Sequence, residues 1–148
     1  MKPSRFLSFV LWLACATASL PAAERKVARK DLPAAVAQVV KSEEAKGAKI
    51  VGFSRETEGG KTFYEIETTV NGHTRDLLLT PAGVVVEVEE AIAIDAVPAA
   101  ARKAFEARGM IVSVESVTKG NVVAYEARVR RNGKTSEIQV RADGTPVK

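Results

Sequence analysis

The chain has 148 residues, 46% of them apolar and only 5% aromatic, with 22 basic against 18 acidic side chains. That is room for one ordinary domain or two very small ones, with a modest aliphatic core. Residues 1–23 hold two basic and no acidic residues, leaving 20 basic against 18 acidic, a net +2 that is too weak for a nucleic-acid footprint.

Met1 to Ala23 reads as a secretory signal peptide. Lys2 and Arg5 give the positive start, and Phe6 to Ala16 is an apolar run too short to span a bilayer. Ala16-Thr17-Ala18 and Ala22-Ala23 are both small-residue cut sites. An uncleaved anchor helix is one alternative. A lipoprotein modified at Cys15 is another, although Trp12-Leu13-Ala14 is a poor lipobox. Cleavage removes Cys15, the single cysteine, so the exported chain holds together without disulfides. The expected location is periplasmic or secreted, with no membrane span after cleavage.

Residues 24–30 are charged and read as a loose linker. Asp31-Leu32-Pro33-Ala34-Ala35-Val36 starts a helix, with Asp31 as the cap and Pro33 in the first turn. Leu32, Val36, Val39 and Val40 share one face; Lys41, Glu43, Glu44 and Lys46 face water; Gly47 stops the helix. Strand-like runs follow at Ile50 to Arg55, Thr62 to Val70, Thr74 to Thr80 and Val84 to Val88. Gly59-Gly60, Asn71-Gly72 and Pro81-Ala82-Gly83 break them. Asn-Gly favours a type I′ hairpin turn, so these strands should be antiparallel.

The order then recurs. Asp95-Ala96-Val97-Pro98-Ala99-Ala100-Ala101 opens a second helix that Gly109 ends. Strands are expected at Ile111 to Val117, Val122 to Arg131, Thr135 to Arg141 and Thr145 to Val147. Tyr64-Glu65 and Asn71-Gly72 return as Tyr125-Glu126 and Asn132-Gly133, a constant offset of 61 that also joins Ile50 to Ile111 and Gly83 to Gly144. The helix starts are offset by 65. The fold class expected is therefore α+β: two tandem α-β-β-β-β repeats, 31–90 and 91–148, each an antiparallel sheet with its helix on one face. One continuous sheet and two separate sheets both remain open. Strand alternation turns Tyr64, Ile66, Thr68, Val70, Leu77 and Leu79 toward the first helix. It turns Tyr125, Ala127, Val129, Ile138 and Val140 toward the second. The other face carries Glu65, Glu67, Thr69, Asp76 and Leu78, then Glu126, Arg128, Arg130, Glu137, Gln139 and Arg141.

Reactive chemistry is sparse. His73, the single histidine, follows a turn and lacks a partner at triad spacing. Zinc wants several Cys or His ligands. Glu87, Glu89 and Glu90 read as solvated carboxylates at a strand end rather than a calcium site. Gly59-Gly60 lacks the Gly-Lys-Ser/Thr of a phosphate loop. Glu65 and Glu126 are explained by cross-strand Arg or Lys neighbours. No catalytic, metal or cofactor residue is assigned.

Leu32-Pro33, Tyr64-Glu65-Ile66, Asn71-Gly72 and Ala82-Gly83-Val84, then Val97-Pro98, Tyr125-Glu126-Ala127, Asn132-Gly133 and Asp143-Gly144, resemble the PepSY-like family, also described as β-lactamase-inhibitor-like. The resemblance covers nearly all of the chain after the leader, and its motifs are turns and caps. It implies a small exported non-enzymatic module that binds or inhibits another envelope protein, a peptidase-type partner above all. The similar β-lactamase inhibitor grips its enzyme with an open polar sheet face but is cysteine-stapled, unlike this chain. The candidate protein-binding residues are Glu65, Glu67, Thr69, Glu126, Arg128 and Arg130. A periplasmic binder of small ligands or cations is the alternative.

Overall fold

The structure is a computed structural model, and it describes residues 24–147. The signal-peptide and Cys15 readings lie outside the described residues. The elements are β1 (Arg25–Lys26), α1 (Ala34–Ala45), β2 (Lys49–Glu58), β3 (Lys61–Val70), β4 (His73–Leu79), β5 (Val85–Ala91), α2 (Ala99–Glu106), β6 (Met110–Lys119), β7 (Val122–Arg131) and β8 (Lys134–Val140). The fold is α+β, with one antiparallel eight-stranded sheet ordered β1 to β8 in sequence.

The count of eight arises differently from the two sets of four expected. Arg25 and Lys26 pair with Arg55 and Ser54, so the charged segment expected to be a loose linker begins as an edge strand. At the other end, Thr145 to Val147 makes only a bridge, Val140 to Pro146, with Val147 N–H donating to the Gln139 carbonyl. The last expected strand is therefore a single contact.

Asp31 does not cap α1. It lies exposed in a short 3-10 turn, Arg29–Asp31, and Pro33 is the residue before the helix; its carbonyl accepts the Ala37 N–H. α2 begins the same way, after a 3-10 turn at Ile94–Ala96 and Pro98. The bend lets Leu32 and Val97 turn inward, where they are 8% and 4% exposed. Their burial outweighs a capping bond worth about 1 kcal/mol.

Register follows the alternation. Phe53 lies opposite Ile66, which lies opposite Leu77, and all three join Val36 and Val40 in one apolar cluster. Val114, Ala127, Val129 and Val140 join Ala101 and Phe105 in a second. Leu77 faces Val88 and Val88 faces Thr118, so the side of the sheet that meets α1 continues into the side that meets α2. Both helices thus cover the same face. Asn71 and Asn132, with the glycines after them, have positive φ, as type I′ turns require. Bulges at Val51 and Val112 tip both side chains outward, a feature alternation alone does not show. Gly83 and Gly144 sit at φ +78 and +81, and a Cβ there would come within 2.9 Å of the Ala35 carbonyl oxygen and 2.7 Å of that of Ala100. A turn after β4 and one after β8 thus press on the first turn of α1 and α2.

Candidate functional site

The helix-free face is where the chain's polar chemistry collects. Reading across the ladders, Gly52, Glu67, Asp76, Glu89 and Val117 form one row, and Ser54, Glu65, Leu78 and Glu87 form the next. Farther along the face, Glu115 lies directly opposite Glu126. Like charges opposite one another on a sheet are destabilising, so this face must be neutralised.

Part of the neutralisation is by cations. Lys26 on β1 hydrogen-bonds Glu67 and stands 3.5 Å from Glu24. Lys119 pairs with Glu87 at 3.0 Å, and Arg128 with Glu137 at 2.9 Å. The rest is by protons. Burial first, then the charges of Asp76, Glu56 and Glu67, push Glu65 up to about 8, against the hydrogen bond that Ser54 Oγ donates at 2.9 Å. Burial, then Glu137 and Glu115, push Glu126 up to about 7. Burial, then Glu24, Glu58 and Glu87, raise Glu56 to about 7; its Oε2 is buried without a hydrogen-bond partner. Glu89 is shifted upward too, by burial and then by Glu87 and Glu126. The cross-strand Arg or Lys expected for Glu65 and Glu126 is not there: their ladder neighbours are Ser54 and Leu78, and Glu115 and Gln139.

These groups are buried although no helix covers them, because the sheet curls. Glu58 of β2 and Val117, Lys119 and Val122 around the β6–β7 turn line one cavity of about 380 Å³, with Ala124, Gln139, Arg141 and Val147. Three strands separate β2 from β6. In a flat sheet that would put them about 19 Å apart. The tips of the β2–β3 and β6–β7 hairpins therefore bend toward each other over the middle strands. The cavity has an apolar floor and a charged rim, the usual composition of a recognition site.

Of the residues expected to contact a partner, Glu65 and Glu126 are 2% and 7% exposed and so are withdrawn from solvent. Glu67 and Thr69 are half-buried, Arg128 is half-buried and paired, and Arg130 alone is exposed. Alternation places all six on the helix-free face, while the hairpin curl takes its centre out of reach. At the hairpin tips Glu58 and Lys119 are half-buried, Lys119 being paired with Glu87, and Val122 is exposed; Arg141, just past β8, is exposed as well. The signal for Glu58, Lys119 and Val122 is the overhang of two hairpins of ten-residue strands beyond seven-residue neighbours. His73 is exposed at the start of β4. Glu24, Glu65 and Glu67 bring carboxylate oxygens within 4.8 Å of one another, a hard-oxygen set suited to calcium or magnesium. The Lys26 ammonium already stands among them.

The chain matches no protein-family model and no curated protein. Its fold is similar to solved structures from Bacteroides. A candidate periplasmic protein of Bacteroides eggerthii is 18% identical with a TM-score of 0.61, over 79% of this chain and 86% of that one. DUF2874 family proteins of Bacteroides ovatus and Bacteroides uniformis are 17% and 19% identical, with TM-scores of 0.59 and 0.56. They cover 79% and 78% of this chain and 85% and 86% of their own. Among the described residues, no helix is long and apolar enough to cross a membrane.

Proposed function

We propose that the chain is an exported, non-enzymatic PepSY-like binding module, built from a duplicated helix-and-meander unit. It binds or inhibits a peptidase-type protein of the cell envelope through its helix-free sheet face. The periplasmic description of a fold neighbour and the N-terminal signal pattern support the export. The constant offset of 61 in turns, bulges and ladder pairs supports the duplication.

The observation that carries the binding reading is the cavity between the hairpin tips. Val122 beside it is 57% exposed, an apolar contact set among Glu58, Lys119 and Arg141. Contacts then fall on this rim and on Arg130, while Glu65 and Glu126 shape the face from beneath. A photo-crosslinker at Val122 should capture a discrete envelope protein, and the same label at Lys41, exposed on α1, should not. Equal capture from both positions, or from neither, overturns the reading.

The second reading, a cation-binding protein, draws on the Glu24, Glu65 and Glu67 oxygens. Because Lys26 occupies that place, calcium should leave the melting temperature unchanged. A rise would shift the balance toward cation binding, since a ligand of the native state must stabilise it.

A further inference from the structure

The outer edge of β8 differs from every internal strand. Gln139 accepts the Val147 N–H and Arg141 donates to Thr145, so the outward backbone groups of β8 belong to its odd-numbered residues. Beyond the bridge at Val140, no strand among the described residues pairs with this edge. The backbone groups of Thr135 and Glu137 point out of the sheet. Beside them is a groove of about 580 Å³, lined by Arg108, Arg131, Asn132, Lys134, Ser136, Glu137 and Ile138.

β4 stands at the same place 61 residues earlier, and there the edge is filled. β5 covers it, with Glu87, Glu89 and Glu90 opposite Leu78, Asp76 and Arg75. Arg75 also bonds Glu43 of α1 at 2.8 Å. At the matching positions of the second half the charges change. Glu43 becomes Arg108, Val70 becomes Arg131, His73 becomes Lys134 and Arg75 becomes Ser136. Arg108, Arg131 and Lys134 are exposed, and none has an acidic partner among the described residues. The acid lining the groove, Glu137, is held by Arg128.

We propose that β8 is a docking edge for an acidic, extended segment of a partner protein, which adds as an antiparallel strand beyond the Val140–Pro146 bridge, where Glu87 to Ala91 of β5 lie in the first half. Main-chain bonds to Thr135 and Glu137 supply affinity, and the three cations supply the preference for acid. This is a second surface, separate from the helix-free face, and it stands whether or not that face binds anything.

The probe is a fluorescent peptide with the sequence of residues 87–91, Glu-Val-Glu-Glu-Ala, read by anisotropy against the exported chain. Thr135→Pro removes one outward N–H. An edge strand tolerates proline with that N–H toward solvent, so the melting temperature should hardly move. Binding should weaken at least tenfold in Thr135→Pro and in Arg131→Ser/Lys134→Ser, and in wild type when the peptide's glutamates are glutamines. A photo-crosslinker at Val122 should not report this peptide, which separates the edge from the face. Equal affinity for Thr135→Pro, as exchange into the β5 position would give, overturns the proposal. So does indifference to the glutamine peptide, or a wild-type dimer that Thr135→Pro dissociates.

Discussion

The two helix–sheet cores fill the same shape with opposite choices. Val40 and Phe105 stand at the same distance after Pro33 and Pro98, and both are fully buried. Beneath Val40 the strands offer Phe53 and Ile66; beneath Phe105 they offer Val114 and Ala127. Where the helix is large the sheet is small, and the reverse. Between Val40 with Phe53 and Phe105 with Val114 the summed volume is conserved while its source is not, as close packing favours; Ile66 against Ala127 is not balanced within this set. A single position can therefore look unconstrained between halves although the pair is tightly constrained.

The largest expected effect tests that exchange. Phe105→Ala should cost about 3–5 kcal/mol by chemical denaturation, since it empties the centre of the second core. Phe105→Val imports the first half's helix residue and should also destabilise. Adding Val114→Phe and Ala127→Ile imports the rest of its packing and should recover most of the loss. If the triple variant is no more stable than Phe105→Val, the halves are not interchangeable and a shared origin loses its best physical support.

A smaller effect separates the halves at their helix ends. Glu43 was expected to face water, but it is 6% exposed and bonds Arg75 at 2.8 Å and Lys46 at 2.7 Å. Opposing charges near Glu43 lower its pKa against the effect of burial. Glu43→Ala should cost about 1–3 kcal/mol, the range for leaving a hydrogen-bonded charged partner unmatched. Arg108→Ala, at the matching position, should change stability by no more than about 0.5 kcal/mol, as surface substitutions do. Thermal melts of both variants give the contrast directly. Equal losses would mean that Arg108 has a partner in the fold and is not held free for a ligand.

What the sequence made legible was whatever depends on neighbours along the chain. The Asn-Gly turns, the alternation in Tyr64 to Val70 and Tyr125 to Val140, and the helix-stopping Gly47 are local signals, and each element stands where they put it. Glu43 was misplaced because its partner, Arg75, is distant in sequence, and helical periodicity alone says only that Glu43 borders the apolar stripe. Asp31 was misread because a capping residue is a local bid that the burial of Leu32 overrode. The candidate site was legible only as a face. Which of its carboxylates are reachable depends on the curl of the whole sheet, set by twist accumulated over strands, and no short window records it.

The smallest effect concerns the matched glutamates themselves. Glu65 and Glu126 occupy the same place in the Tyr-Glu copies, yet their pKa values rise to about 8 and about 7. In the unfolded chain both titrate near 4.5. Between that value and the raised one the native state holds a proton the unfolded state has lost, so stability falls as pH climbs. The loss begins near pH 4.5 for both and ends near 7 for Glu126 and near 8 for Glu65. Glutamine at either site removes the titration and should flatten the curve of melting temperature against pH. Because one pKa unit corresponds to about 1.4 kcal/mol, Glu65→Gln should gain on the order of 1 kcal/mol more than Glu126→Gln at pH 9, each relative to its own value at pH 5. The physical difference is burial first: Glu65 is the more deeply buried of the two, 2% exposed against 7% for Glu126, and acidic neighbours raise both. Curves that flatten equally would place both glutamates in the same field, and curves that rise with pH would mean these carboxyls are ionised in the native state.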